Sequence, residues 1–361
     1  MTAEPGSLVE RWVRPEIRAL QAYVVPPSEG LLKMDAMENP YSWPDSMVAD
    51  WQQRMQGASL NRYPDANSTA LKARLREVMG IADDSDVLLG NGSDEIIQLL
   101  AMAVAGQNRL LLAPEPGFVM YRMIATAVGM RYSGVPLDTD FDLDVAAMLA
   151  VIEREQPALI FLALPNNPTG NLFSAERVRA VIEASQGLVV LDEAYTAFTE
   201  ADHLDLLQYP NVLVMRTLSK VGLAGLRLGI LVGHREWLQE LDKLRLPYNI
   251  NVLTQISAEF ALDHFDVLMA QTSDIRKQRG ELYGALQQLD GVQVWPSEAN
   301  FILLRCDQAR AVHEHMKSSG VLIKCLDGAH PALQNCLRFT VGAPADNAHM
   351  LEAFRAALTA R

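Results

Sequence analysis

The sequence predicts an α/β fold, in which a mainly parallel sheet is covered by helices on both faces and is followed by a smaller α+β domain. Between about residues 70 and 233, short continuous apolar runs alternate with amphipathic helical segments, a pattern typical of buried parallel strands. Beyond about residue 289 the pattern changes to short strands with isolated helices. A chain of 361 residues is also long enough to bury two cores.

The elements of the larger domain follow from local patterns. The N-terminal segment contains helix-breaking prolines and predicts an irregular arm that wraps over a partner or a cleft. The segment TALKARLREVM predicts a helix that ends at Gly80, a residue suited to a C-cap. Buried strands are then predicted at DVLLG, RLLLA, ALIFLAL, GLVVLDE and NVLVMRT, separated by helical stretches such as SAERVRAVIEAS.

A long helical stretch leads into the smaller domain. HREWLQELDKL and TQISAEFALDHF predict helices, the second continuing to about Leu289. The strands VQVWP, NFILLR, GVLIK and CLRFTVG then alternate with AVHEHMKSSG and a last helix. We therefore divide the chain into an N-terminal arm (residues 1–35) that packs with the small domain, a large domain (36–265) and a small domain (266–361).

Composition excludes several classes of partner. The 31 Lys and Arg residues against 44 Asp and Glu give a formal charge of −13, which disfavours nucleic acid and anionic membranes. Cys306, Cys325 and Cys336 form no CxxC pair, and His313 and His315 point apart on a helix, so neither a disulfide framework nor a metal site is expected. Without a signal peptide or an apolar run of about 18 residues, the protein is expected to be cytoplasmic.

Four motifs lie where predicted strands end, which is the edge at which open parallel sheets bind ligands. The first, Gly90-Asn91-Gly92-Ser93-Asp94-Glu95, is a Gly-rich turn from a strand into a helix. Its free N–H groups favour a phosphate, but Glu95 stands where a dinucleotide fingerprint requires glycine. Alone, the motif is equally compatible with a structural turn.

The second and third motifs place an acid and a lysine at strand ends. Asp192 ends a buried run, where a carboxylate needs a cationic or protonated partner such as a pyridinium nitrogen; a helix cap or a metal-holding Asp-Glu pair is the alternative. Lys220 follows an apolar run and precedes a Gly-containing loop, where desolvation would suit it to Schiff-base chemistry, although most lysines are solvated surface groups. Ser219 and Arg227 supply a hydroxyl and a cation for a phosphate.

The fourth motif is the polar turn Pro165-Asn166-Asn167-Pro168-Thr169-Gly170, which follows ALIFLAL. It is either an ordinary Asn-Pro turn or the source of an amide that donates to a phenolate oxygen on a bound ring.

The order of these motifs resembles that of the fold-type I pyridoxal-phosphate enzymes of the aspartate aminotransferase superfamily. Within that superfamily the chain is most similar to the histidinol-phosphate aminotransferase family, from about residue 30 to 345. The resemblance is carried by KMDAMENPY, LNRYPD, NGSDE, PEPGFVMY, PNNPTG, LDEAY, TLSK with LAGLR, SEANFILLR and CLRFTVG. It implies a large domain that binds pyridoxal phosphate on a mixed, mainly parallel sheet of the seven-stranded type.

The resemblance also implies a role for each site residue. Lys220, Asp192 and Tyr195 are the catalytic residues: Lys220 forms the Schiff base and moves protons, Asp192 pairs with the ring nitrogen, and Tyr195 donates to the phenolic oxygen. The other implied cofactor contacts are the amide of Asn167, the stacking ring of Phe118, the backbone of Ser93 and Asp94, the hydroxyl of Ser219, the cation of Arg227 and, from a neighbouring subunit, Tyr63. The contact of Tyr63 implies a homodimer, to which the arm also contributes.

The implied reaction is a ping-pong transamination in histidine biosynthesis, in which histidinol phosphate and 2-oxoglutarate give imidazole-acetol phosphate and glutamate. Its implied substrate contacts are Arg338, Tyr23, Lys324 and Asn167, with Lys324 at a position where several relatives carry arginine. An aromatic amino acid aminotransferase and a threonine-phosphate-type decarboxylase have a similar motif set and stay open. A non-catalytic effector-binding module is disfavoured because it usually carries a DNA-binding segment, and a nicotinamide-dependent dehydrogenase is disfavoured by Glu95.

Overall fold

The computed structural model describes residues 5–360 of the chain. Its α-helices are α1 (Pro5–Trp12), α2 (Pro15–Ala19), α3 (Asp45–Met55), α4 (Thr69–Met79), α5 (Ser93–Val104), α6 (Met120–Val128), α7 (Val145–Glu155), α8 (Ala175–Ala184), α9 (Arg235–Asp242), α10 (Val252–Asp263), α11 (Phe265–Gln287), α12 (Ala309–Ser318) and α13 (Pro344–Thr359). Its strands are β1 (Leu32–Met34), β2 (Ser85–Gly90), β3 (Leu110–Glu115), β4 (Arg131–Pro136), β5 (Leu159–Ala163), β6 (Leu188–Asp192), β7 (Val212–Thr217), β8 (Gly229–His234), β9 (Val292–Val294), β10 (Phe301–Cys306), β11 (Val321–Cys325) and β12 (Cys336–Thr340).

A seven-stranded sheet forms the larger layer, with the strand order β2-β8-β7-β6-β5-β3-β4. The pairs from β7 through β4 are parallel, whereas β8 runs antiparallel to both β7 and β2. The carboxyl ends of β2, β3, β5, β6 and β7 therefore meet at one edge of the sheet. The predicted α/β class with a mainly parallel sheet is confirmed.

Helices cover both faces of this sheet, as predicted. On one face α4, α7, α8 and α10 contribute buried apolar residues to a common core with the strands. On the other face α5, α6 and α9 do the same. The predicted C-cap at Gly80 is present in the left-handed conformation that glycine adopts without strain, with φ of +65°.

Two strands of the large sheet were not among the predicted elements. The edge strand β4 has the sequence RYSGVP, in which only Val135 is buried, so it shows neither an apolar run nor a clean alternation. By contrast β8 is buried along five of its six residues, but its three consecutive apolar residues, Ile230 to Val232, stand between two glycines and give only a short signal.

A second sheet of five strands has the order β1-β11-β12-β10-β9. Its core is shared with α11, α12 and α13, and β1 joins it in parallel to β11 through pairs such as Leu32 with Val321.

The expectation of an irregular N-terminal arm is wrong over part of its length, because the described residues include α1, α2 and β1. Pro15 does not prevent a helix here since it occupies the first position of α2, where a missing N–H costs nothing. Within the described residues, no helix combines the length and apolarity that a membrane span requires.

Candidate active site

A cavity opens at the sheet edge where the parallel strands end. It is lined by residues from both the strand ends and the loops that follow them: Met37, Ser93, Asp94, Phe118, Ala163, Pro165, Asn167, Asp192, Ala194, Tyr195, Thr217, Ser219, Lys220 and Arg227. Nine of these were named as site residues from the sequence: motifs that follow parallel strands are brought to a common edge, and the family resemblance supplied Phe118 and Tyr195.

Lys220 lies in the short π-helical turn (Ser219–Leu223) that follows β7. Its ammonium nitrogen is 5.6 Å from the centroid of the Tyr195 ring. Burial, and then the positive charge of Arg338, lower the pKa of Lys220 to about 8. A substantial fraction of this amine is therefore neutral and nucleophilic near physiological pH.

Asp192 ends β6 and is 5% exposed. Its Oδ2 accepts a hydrogen bond from the hydroxyl of Tyr121 at 2.6 Å, and its Oδ1 accepts the backbone N–H of Ala194 at 3.1 Å. Burial raises the pKa of Asp192 to about 6, and the two hydrogen bonds oppose that rise. A carboxylate held in this way is suited to a ligand that brings its own positive charge.

Asn167 connects Tyr195, which lines the cavity, with Arg338, which does not. Its Nδ2 donates to the hydroxyl of Tyr195 at 3.2 Å, while its Oδ1 accepts from Nη1 of Arg338 at 2.5 Å. Asn166 has a structural part in the same turn, donating to the carbonyl of Pro116 and to Thr169. Of the two adjacent amides, only Asn167 faces the cavity.

Arg338 is a buried cation on β12, 7% exposed, and its guanidinium carbon lies 5.2 Å from the centroid of the Phe301 ring. Besides Asn167 it donates to the backbone carbonyl of Asp35 at 2.9 Å, but its Nε has no hydrogen-bond partner. A buried donor without an acceptor is costly, so an anionic ligand at this position would satisfy it.

Other residues that line the cavity can bind an anion. Helix α5 begins at Ser93 without a side-chain cap, which leaves its first N–H groups open. Arg227 adopts a left-handed backbone with φ of +49°, and its Nη2 is 3.4 Å from Oδ2 of Asp94. A Cβ at Gly92 would lie 2.6 Å from the same Nη2, so the approach of Arg227 to the helix depends on glycine.

Ser219 is a buried residue that is 6% exposed. Its hydroxyl lies 2.9 Å from Thr217 Oγ1, which is also 2.9 Å from the carbonyl oxygen of Leu228, and it lines the cavity, where a hydroxyl can donate to a ligand. A helix N-terminus, a hydroxyl and a guanidinium together suit a phosphate group.

Four predicted residues do not line this cavity, and one of them, Arg338, contacts its wall through Asn167. Lys324 is half-buried on β11 at the position paired with Arg338, and Tyr23 is 60% exposed but close enough to influence the pKa values of Arg338 and Tyr195. Tyr63 is 80% exposed and stacks on Tyr248 with ring centroids 4.4 Å apart.

Sequence reasoning missed the Tyr121 contact with Asp192, although a signal was present. Tyr121 lies in the first turn of α6, three residues after Phe118, which precedes the helix, and the two rings contact each other. Reasoning from strand ends considered Glu193 as part of an Asp-Glu pair but missed its ion pair: Glu193 is fully buried, and Arg216 Nε contacts it at 2.7 Å. Among residues 5–360 no cluster of His, Cys, Asp and Glu is arranged to hold a metal ion.

The cavity is thus lined by a partly neutral amine, a buried carboxylate and a group that can bind an anion. This arrangement can capture an aldehyde covalently, hold a flat ring with a protonated nitrogen and anchor a phosphate. The buried Arg338 adds a place for a second anion next to the amine.

Comparisons with known proteins agree with this chemistry. The model of the family described as aminotransferase class I and II matches residues 29–356. A histidinol-phosphate aminotransferase 2 from Nitrosococcus oceani is 53% identical over 351 residues, which cover 96% of this chain and 98% of that protein. A histidinol-phosphate aminotransferase from Chromobacterium violaceum is 49% identical and covers the same shares of the two chains.

A solved structure of histidinol-phosphate aminotransferase from Sinorhizobium meliloti, in complex with pyridoxal-5'-phosphate, is similar to this fold with a TM-score of 0.86. It is 26% identical, and the match covers 97% of this chain and 98% of that one.

Proposed function

Because the chain belongs to aminotransferase class I and II, we propose that it transfers the amino group of histidinol phosphate to 2-oxoglutarate. The cofactor in this proposal is pyridoxal phosphate, held covalently by Lys220. Two relatives near 50% identity over almost the full chain are named for this activity. The same activity assigns the protein to histidine biosynthesis.

The observation that carries the proposal is that Lys220 lines one cavity together with two unlike groups. Asp192 is a buried carboxylate that needs a protonated partner. Arg227 and the open start of α5 form a group that can bind an anion. Pyridoxal phosphate carries an aldehyde, a ring nitrogen that can be protonated and a phosphate, so the donor set fits it.

Each residue has a distinct part in the proposed mechanism. When bound, the cofactor supplies an aldehyde that takes up the amino group and a ring that accepts the electron pair released at the substrate carbon. Asp192 holds the proton on the ring nitrogen, and Tyr195 and Asn167 donate to the phenolic oxygen. Phe118 packs against the ring, and Ser93, Asp94, Ser219 and Arg227 bind the phosphate.

Lys220 is the acid and base of the proposal. Once the amino group of the substrate has replaced it on the cofactor, Nζ of Lys220 would be a free amine, whose pKa is lowered to about 8, and would remove the proton from the substrate carbon that bears nitrogen. The same nitrogen would then deliver this proton to the carbon that held the aldehyde oxygen. Transfer to 2-oxoglutarate repeats these two steps in reverse.

Arg338 is the proposed clamp for the anionic group of each substrate. The unpartnered Nε and the burial of its guanidinium support this role, because a planar fork can bind a carboxylate or a phosphate. Lys324 and Tyr23, which lie near Arg338, are the proposed additional contacts to the phosphate of histidinol phosphate.

The site also supports a proposed homodimer. Tyr63 and Tyr248 form an exposed aromatic pair, and Leu60, Leu246 and Leu253 are exposed on the same or adjoining segments. We place Tyr63 against the cofactor phosphate of the neighbouring subunit. We also retain the division into an arm (1–35), a large domain (36–265) and a small domain (266–361), which the separate sheets support.

Reduction of the purified protein with borohydride tests the covalent part of the proposal. The visible absorption band of the Schiff base should disappear, and a peptide digest should show one modified lysine, Lys220. A modification elsewhere, or none, would contradict the assignment.

A substrate panel then tests the substrate. Histidinol phosphate, phenylalanine and threonine phosphate are offered separately, with glutamate formation from 2-oxoglutarate and carbon dioxide as readouts. Histidinol phosphate should show the highest kcat/KM without carbon dioxide. A preference for phenylalanine would assign an aromatic aminotransferase instead, and carbon dioxide from threonine phosphate would assign a decarboxylase.

A further inference from the structure

Tyr121 is a buried residue at the cavity to which the proposed mechanism gives no part. It is 2% exposed, and its hydroxyl donates to Oδ2 of Asp192 at 2.6 Å. The other carboxylate oxygen accepts the backbone N–H of Ala194. Each oxygen therefore has one donor from the protein, which orients the carboxylate and leaves further lone pairs for a ligand.

The ring of Tyr121 is held from two sides. It stacks on Phe161 with centroids 4.5 Å apart and planes 7° apart, and it meets Phe118 edge-on at 5.5 Å and 87°. Phe161 is fully buried on β5, and Phe118 lines the cavity. Because both aromatic contacts limit rotation of the ring, the hydroxyl is a fixed donor and the carboxylate must align with it.

The charges around Asp192 make this donor important. Burial raises its pKa, and the negative charges of Asp94 on α5 and of the adjacent Glu193 raise it further. The groups that lower it are the hydroxyl of Tyr121 and the N–H of Ala194, and neither is a cation. Neutral donors therefore keep this carboxylate ionised until a ligand arrives.

We infer that Tyr121 is a positioning residue that acts through Asp192: its hydroxyl orients the carboxylate and keeps it ionised to receive a protonated heteroaromatic nitrogen. This inference rests on the proposed function, since it takes Asp192 as the partner of the cofactor ring. Loss of the hydroxyl would make the carboxylate more basic, so that the shared proton moves from the ring nitrogen toward Asp192. The ring would then be a poorer acceptor of electrons.

Tyr121→Phe removes this hydroxyl and keeps the aromatic ring. Tyr132→Phe is the matched control, because the Tyr132 hydroxyl also donates to a carboxylate, that of Glu115, at 2.9 Å. Tyr132 lies on β4 and does not line the cavity. Both variants lose one phenol–carboxylate hydrogen bond, so a shared effect on stability is separated from an effect on the site.

Two readouts other than turnover apply. Cofactor-free protein is titrated with pyridoxal phosphate to obtain Kd, and the chemical shift of the ring nitrogen is measured with ¹⁵N-labelled cofactor. For Tyr121→Phe, Kd should rise about tenfold or more, as expected for a hydrogen bond to a charged group, and the nitrogen shift should move toward the unprotonated value. Tyr132→Phe should match the parent protein in both.

An Asp192→Asn background shows whether Tyr121 acts through the carboxylate. In that background Tyr121→Phe should cause no further change in Kd, because the group it serves is gone. An equal loss of affinity in both backgrounds would show a packing effect and overturn the inference, as would unchanged Kd and nitrogen shift in Tyr121→Phe alone. Failure of the parent protein to form a borohydride-reducible bond at Lys220 would instead overturn the proposed function.

Discussion

Arg338 donates a hydrogen bond to the side-chain oxygen of Asn167, and this contact joins the two sheets at the cavity. Arg338 belongs to β12 of the five-stranded sheet, whereas Asn167 follows β5 of the seven-stranded sheet. The polar series continues from Asn167 to the hydroxyl of Tyr195. The proposed substrate clamp and the proposed cofactor contacts are therefore parts of one hydrogen-bonded series.

Replacement of Arg338 by methionine should weaken substrate binding without loss of the cofactor. Removal of a charged donor to an anion costs about 1.5–3 kcal/mol, so KM for both histidinol phosphate and 2-oxoglutarate should rise about tenfold to a hundredfold. Steady-state kinetics and cofactor content measure the two effects. The control is Arg305→Met, because Arg305 lies on the neighbouring strand β10 and stacks on Trp295. An unchanged KM in Arg338→Met would exclude the clamp.

Capture of pyridoxal phosphate by the cofactor-free protein should depend on the charge of Lys220. Burial and Arg338 lower the pKa of this amine to about 8, so the neutral, reactive form increases as pH rises through 8 instead of through the usual value near 10.5. The positive charge of Arg338 disfavours the ammonium form, and Arg338→Met should therefore move the inflection of the rate–pH profile upward. A profile with the same midpoint in both proteins would exclude this electrostatic coupling.

The buried carboxylate of Asp192 should reduce the stability of the cofactor-free protein at neutral pH. A pKa raised from 3.8 to about 6 means that the folded state favours the protonated acid. The stabilising contribution is complete below pH 3.8 and is lost as pH rises through about 6, at a cost of about 3 kcal/mol. Asp192→Asn should accordingly increase the free energy of unfolding by about 2–3 kcal/mol at pH 7.5.

Urea denaturation of the two cofactor-free proteins at pH 7.5 and pH 4.5 checks this expectation. The advantage of Asp192→Asn should shrink at the lower pH, where the acid of the parent protein is mostly protonated. A difference that does not change with pH would show that the asparagine acts through packing alone. A residue that lowers the free energy of unfolding of the cofactor-free protein is consistent with one that is retained for binding a ligand.

Much of the fold and of the candidate site could be predicted because both depend on local patterns. The strands β3, β5, β6 and β7 are continuous apolar runs, and such runs need no partner to be recognised. Parallel strands bring their carboxyl ends to one edge, and for this reason Ser93, Phe118, Asn167, Asp192 and Lys220 meet in one cavity. The family resemblance supplied their roles, which stay predictions.

The contacts that were missed join residues far apart in the chain. Tyr121 and Asp192 are 71 positions apart, and Arg216 lies 23 positions from Glu193. The spacing of apolar residues shows which side of a helix or strand is buried, but not which polar group of another element lies there. The direction of β8 was likewise inaccessible, since an apolar run looks the same in a parallel and an antiparallel strand.

The buried ion pair of Glu193 and Arg216 should be important for stability. The Glu193 side chain is fully buried and contacts both Arg216 and His203, and Arg216 is 7% exposed. Glu193→Gln leaves Arg216 with a single, half-exposed acid, Asp202, so the free energy of unfolding should fall by about 3–5 kcal/mol. Glu155→Gln is the control, because both arginine partners of Glu155 are more than half exposed. Its free energy of unfolding should fall by less than about 1 kcal/mol. An equal fall in the two variants would contradict the expectation.

Mixed dimers test whether Tyr63 serves the neighbouring subunit. Lys220→Ala alone should be folded and inactive, and Tyr63→Ala alone should bind pyridoxal phosphate weakly. In a hybrid of the two, the subunit that keeps Lys220 would receive Tyr63 from its partner, so one of the two sites should regain the parent affinity and turnover. Because Tyr63 is 80% exposed and is held by stacking on Tyr248, it is available to another chain.

Differently tagged subunits, mixed, refolded and purified through both tags, provide the hybrid. Activity should approach half that of the parent dimer, since each dimer then has one complete site. If Tyr63 instead served its own subunit, the hybrid would contain one site without Lys220 and one without Tyr63, and no recovery would occur. A Tyr63→Phe subunit in place of Tyr63→Ala separates the hydroxyl from the ring: affinity in its homodimer should fall only to the extent that the phenol itself contacts the phosphate.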